Sequence, residues 1–160
     1  MADIQKATYV YKLVHPSTPP PDPLPESLSL SELDVESGFI HLSTARQIPG
    51  TLKLFYNAEP RMYVLRIPIK MIEKGLRWEA PSVPVSGDGS AESMFPHLYD
   101  GKLGSAEVES VVLWERGEGT WGSALDTEEK EQDGVVLARL FPLIANSLYS
   151  RLSRKGSPLP

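Results

Sequence analysis

The chain contains no cysteine, which excludes disulfides, thiolate nucleophiles, iron–sulfur clusters and sulfur-ligated zinc. It has no apolar run of the 18 or so residues that a membrane-crossing helix needs, so no membrane partner is expected. Its opening residues, MADIQKATYVYKLV, lack the basic start and apolar block of a secretory leader, and a cytoplasmic location is the expectation. Positive charge is scarce: Lys plus Arg total 16 against 21 Asp plus Glu, a formal net charge of -5. That argues against a nucleic-acid partner bound through the overall field. The phosphate-cradling patterns G-x-G-x-x-G and Gly-Lys-Ser/Thr are missing, and Gly87-Asp88-Gly89 stands alone in a loop-like stretch. Histidine occurs only as His15, His41 and His97. No two are spaced for one helix face and there is no H-E-x-x-H run, so no metal site is expected. The absence of a G-x-S-x-G elbow argues against a serine nucleophile.

What is present describes a globular domain. At 160 residues, with 41% hydrophobic and 23% charged side chains, the chain is large enough to bury a core without a staple. Residues 8–14, TYVYKLV, read as a strand from their β-branched and aromatic content. Residues 16–25 hold six prolines and predict an extended polyproline II loop, neither helix nor central strand. Ser29 and Glu32 predict a capping box and one or two helical turns carrying Leu30 and Leu33. In Phe39–Ser43, alternation puts Phe39, His41 and Ser43 on one face and Ile40 and Leu42 on the other. Thr44 and Gln47 predict a second capping box, opening a helix with Ile48, Leu52 and Phe55. Further strands are expected at 62–68, 76–79, 95–99 and 108–114, with a short helix over 68–74 and a loop over 80–92. The acidic run 126–133 reads as a solvated linker, and 135–154 as a helix kinked at Pro142. Strands and short helices mix without a βαβ rhythm, so the fold class is α+β.

Chemistry concentrates on two apolar motifs, GFIHLST (38–44) and FPHLY (95–99), each with a central histidine. Imidazole is the side chain most readily poised near neutral pH. Two of them on stiff extended segments are candidate acid–base groups facing a common cleft, their tautomers fixed by Ser43, Thr44 or Tyr99. The plainer alternative is a pair of satisfied core histidines. Arg77-Trp78-Glu79 offers a fork donor, a flat ring and a carboxylate, suited to gripping a phosphate or ribose and stacking a base, or to forming an exposed ion pair. Lys12, mid-strand, is either an inward anchor for an anion or hydroxyl, or an outward residue of an edge strand.

Together VYKLV, GFIHLST-x-x-Q, LRWE and FPHLY resemble a small family catalogued as domain of unknown function 952, over about residues 8–115. The resemblance implies an ADP-ribosyltransferase-like fold, also that of tRNA 2′-phosphotransferases: a split, strongly bent β-structure holding NAD in a cleft. It assigns no reaction. Family members commonly carry Tyr-His-Leu on the first strand, in the position that hydrogen-bonds the NAD ribose; this chain has Tyr11-Lys12-Leu13. The second strand would set His41 near the nicotinamide or its equivalent. The third element of that fold is a glutamate, for which Glu79, Glu107 and Glu109 are the candidates. The expectation is therefore a domain over 1–120, with residues 121–160 as linker and helix that pack on it or mediate self-association. Its function would be that of an enzyme binding a nucleotide-like small molecule, with His41 and His97 catalytic and Lys12, Ser43, Thr44, Arg77, Glu79 and Tyr99 binding substrate. The alternatives are an acid–base enzyme that ignores NAD, or a non-catalytic ligand-binding or interaction module.

Overall fold

The computed structural model describes residues 7–81 and 94–121. Strand β1 (Tyr9–Val14) opens the fold where its branched and aromatic residues predict. It is followed by α1 (Glu32–Ser37), β2 (Ile40–His41), α2 (Ile48–Phe55), β3 (Arg61–Pro68), β4 (Leu76–Glu79), β5 (Phe95–Leu98) and β6 (Ser110–Glu115). The strands make two three-stranded sheets, ordered β1-β3-β6 and β2-β5-β4. Every pairing is antiparallel, as an α+β chain without crossover helices requires. The sheets meet where β1 runs beside the end of the GFIHLST motif: Tyr11 N–H donates to the Ser43 carbonyl at 2.8 Å and Ser43 N–H to the Tyr11 carbonyl at 2.9 Å.

Two apolar clusters hold these layers. One brings Val10, Leu65 and Ile67 of the first sheet together with Ile40 and Leu98 of the second and with Leu42, just past the end of β2. The other covers the opposite face of the first sheet, where Tyr11, Met62, Val64, Val112 and Trp114 pack with Ile48 and Leu52 of α2 and with Trp121. The first sheet is thus apolar on both faces. The second has one apolar face, and its other face is left for polar chemistry.

Local differences from the sequence reading have physical causes. Helix α1 is capped by Ser31, not Ser29; the Ser31 hydroxyl accepts from Asp34 N–H at 3.2 Å. Leu30 and Leu33 do not form a buried stripe, being 50% and 54% exposed. The residue α1 buries is Asp34, because a cation and an imidazole meet it there. The Thr44–Gln47 box forms reciprocally, with Thr44 N–H donating to Gln47 Oε1 at 2.9 Å and Gln47 N–H to Thr44 Oγ1 at 3.3 Å. It closes a turn, and the helix proper begins at Ile48 with Pro49 in its first turn. Phe55 lies on the outer side of α2, 58% exposed. The short helix expected over 68–74 is a single 3₁₀ turn, Ile69–Met71. Among the described residues no helix is long and apolar enough to cross a membrane. The acidic run 126–133, the helix 135–154, residues 122–160 of the C-terminal unit and nearly all of the 80–92 loop lie outside the described residues.

The proline-rich stretch is neither helix nor strand, as its composition dictates. It is held by packing: Leu24 and Leu28 rest against the first cluster, and Leu28 N–H donates to the Leu103 carbonyl at 2.7 Å. Gly104 makes this seat feasible, since a Cβ there would lie 1.9 Å from the Glu26 carbonyl oxygen. Gly104→Ala is expected to lower the unfolding free energy by about 1–3 kcal/mol, as overpacking against backbone does. Urea unfolding checks this, and an unchanged midpoint would mean that the loop is free to move off.

Candidate functional site

The pairing register assembles the site. His41 stands directly opposite His97 across β2 and β5, and Arg77 opposite His97 across β4 and β5. Directly paired residues share a face, so Arg77, His97 and His41 form one transverse row. Alternation adds Phe39, Tyr99 and Glu79 to that face and sends Ile40, Leu98 and Trp78 to the apolar cluster beneath. The two imidazole centroids are 5.4 Å apart, edge to face. The Phe39 ring stacks on His97 at 4.2 Å and lies 4.6 Å from His41 and 5.1 Å from Tyr99.

His41 is oriented by Asp34. Gly38, at φ 75, closes α1 in the left-handed region and donates its N–H to the Asp34 carbonyl at 3.0 Å. The chain then turns back along Asp34, whose Oδ1 accepts from His41 N–H at 3.0 Å and meets His41 Nδ1 at 2.8 Å. Its Oδ2 takes the Lys12 ammonium at 2.6 Å. An ionised carboxylate can only accept, so Nδ1 carries the proton and Nε2 is the nitrogen left over. Burial alone would raise the Asp34 pKa; the bonds from His41 and the Lys12 charge outweigh it and hold the carboxyl well below the usual range. Burial pushes the Lys12 ammonium down from its ordinary value, against the pull of Asp34.

His97 has a parallel arrangement. Its Nδ1 meets Glu79 Oε2 at 2.8 Å, and the Tyr99 hydroxyl donates to the same oxygen at 2.8 Å. Hydrogen bonds from His97 and then Tyr99 hold the Glu79 carboxyl below its usual range, and the bond to Glu79 pushes the Tyr99 phenol up. The exposed Arg77 guanidinium lies over the Tyr99 ring, 4.2 Å from its centroid. Accessibility separates the two histidines: the His41 side chain is 31% exposed and that of His97 only 6%.

The structure thus brings Lys12, His41, His97, Arg77, Glu79 and Tyr99 into two linked clusters. Ser43 contributes its backbone to the sheet junction, and Thr44 its hydroxyl to the Gln47 turn. Neither is the partner of the His41 Nδ1, which is Asp34. Lys12 is inward, its ammonium on a carboxylate. Trp78 packs into the core and is no platform for a base. Of the three glutamates considered, Glu79 is in the site. Glu107 pairs with Lys102 at 3.5 Å and Glu109 with Arg66 at 3.2 Å, both elsewhere. Asp34 escaped the sequence reading, although its place three residues after Ser31, in a short helix with no apolar stripe, was a usable signal. Alternation in the sequence puts Phe39 on this face, but no local signal marks it as the ring that joins both histidines. Among the described residues no group of histidine and carboxylate side chains is arranged to hold a metal ion.

Fold and site together define an α+β protein with two antiparallel sheets, one of which offers a polar face centred on two carboxylate-held imidazoles. Residues 25–111, more than half of the chain, match the family described as Protein of unknown function (DUF952), and the chain belongs to that family. Among solved structures it is similar to protein CC0527 from Caulobacter crescentus. The identity is 25%, the match covers 69% of this chain and 90% of that one, and the TM-score is 0.55. A crystal structure of a double mutant of CC0527 matches with the same values. No curated protein matches the chain.

Proposed function

We propose that this protein is an enzyme that binds a small, nucleotide-like molecule on the polar face of the second sheet and moves a proton through His41. The observation that carries this reading is the Lys12–Asp34–His41 chain. A buried carboxylate accepts from both the backbone N–H and the Nδ1 of one histidine, which fixes its tautomer and ring plane. The ring it fixes is still accessible, with Nε2 as the basic nitrogen. That is how a general acid–base imidazole is oriented. His97, under Phe39, holds Glu79 in place and lines the same face. Phe39, half-buried beside both imidazoles, offers ring surface against which a flat base can stack.

The two sheets joined at Tyr11 and Ser43 support the ADP-ribosyltransferase-like relationship that the resemblance implies. The residues fit NAD poorly: Lys12, at the ribose-binding position, has its ammonium on Asp34. We therefore place NAD as one nucleotide among several, with no step routed through it. The test is an amide chemical-shift titration of the full chain with NAD, ADP-ribose and AMP at millimolar concentration. Shifts centred on Phe39, His41, His97 and Tyr99 are expected with at least one of them. Unmoved resonances with all three sink the reading.

A further inference from the structure

The transverse row Arg77–His97–His41 carries a second conclusion. Three neighbouring strands present three nitrogen-bearing side chains side by side. At a strand spacing of about 4.8 Å, the row is roughly 10 Å long. The charges around it are unequally matched. Lys12 is paired with Asp34, and Glu79 is engaged by His97 and Tyr99. Among the described residues no carboxylate lies within 4 Å of the Arg77 guanidinium; Glu79 feels its charge from farther off, with its own hydrogen bonds going to His97 and Tyr99. Its guanidinium lies over the Tyr99 ring, which limits its rotamers and keeps its N–H fork available for a planar, bidentate acceptor.

We propose that Arg77 anchors a phosphate group, so that the ligand class is a nucleoside phosphate and not a free nucleoside. The phosphate sits at the Arg77 end of the row, and the row's length leaves the sugar hydroxyls near His41. This rests on the small-molecule reading above and adds the group that is recognised. Calorimetric titration of the full chain with adenosine, AMP, ADP and inorganic pyrophosphate tests it, in the wild type and in Arg77→Gln and Arg77→Lys.

ADP is expected to bind at least about tenfold more tightly than adenosine, the effect of a hydrogen bond to a charged group. Arg77→Gln should remove that advantage and leave adenosine binding unchanged, with Arg77→Lys in between. Because Arg77 is exposed, all three proteins should unfold at the same urea concentration. If Arg77→Gln keeps the full advantage, or adenosine binds the wild type as tightly as ADP, the phosphate anchor is overturned while the small-molecule site stands. If neither adenosine, AMP nor ADP binds the wild type, both fall.

Discussion

Asp34→Ala is expected to lower the unfolding free energy by about 3–5 kcal/mol, the cost of removing one partner from a buried ion pair. The loss is large because Asp34 satisfies three donors at once. Without it the Lys12 ammonium, the His41 backbone N–H and the His41 Nδ1–H all lose their acceptor. In a chain of 160 residues such a loss lowers the melting temperature by about 6–20 °C. The same carboxylate gives stability a pH dependence. In the unfolded chain an aspartate takes up a proton near pH 3.9, whereas in the fold Asp34 holds its charge to lower pH. Its contribution is therefore complete above the unfolded value and fades as pH falls below about 4 toward the folded one. Urea unfolding at pH 7 and pH 3 measures both effects. A loss under about 1 kcal/mol in Asp34→Ala at pH 7 would show that the pair adds nothing to stability.

His41→Gln is expected to reduce turnover by about 10²–10⁴-fold, the usual contribution of a positioned acid–base group. Glutamine keeps a donor for Asp34 but has no nitrogen that takes up a proton in water near neutral pH. The fold should accordingly survive, with an unfolding midpoint far closer to wild type than that of Asp34→Ala. A mass-spectrometric screen of nucleoside phosphates identifies the substrate on which the ratio is read. If His41→Gln turns over every wild-type substrate within a factor of two, His41 is not the proton-transferring group, and its bond to Asp34 is structural. The exposure of His41 at 31% against 6% for His97 is the reason the larger catalytic effect is expected at His41.

The strands were legible because their signals are local. TYVYKLV, MYVLRIP and LRWE each pair where branched and aromatic content places them, and the Phe39–Ser43 alternation correctly divides Ile40 and Leu42 from Phe39 and His41. Helices α1 and α2 were legible in existence and less so in detail. Ser29 and Ser31 are equivalent as sequence signals, and the choice of Ser31 follows from the return of the chain through Gly38 to bring Asp34 onto His41. Phe55 has a helical spacing from Ile48 and Leu52, yet the first sheet takes up only those two.

The amino-acid order by itself determined the α+β class, the strand segments, a proline stretch that is neither helix nor strand and the two histidine motifs, because propensity, proline geometry and period-2 alternation act over a few residues. Only the tertiary structure decided that Lys12 and Asp34, 22 positions apart, form one buried pair, and that Glu79 and not Glu107 or Glu109 belongs to the site. It also decided that Arg77, His97 and His41 stand in a single row. Those facts depend on strand order and register between distant segments. Register is fixed by which faces the whole fold can bury, a condition that no local stretch of chain contains.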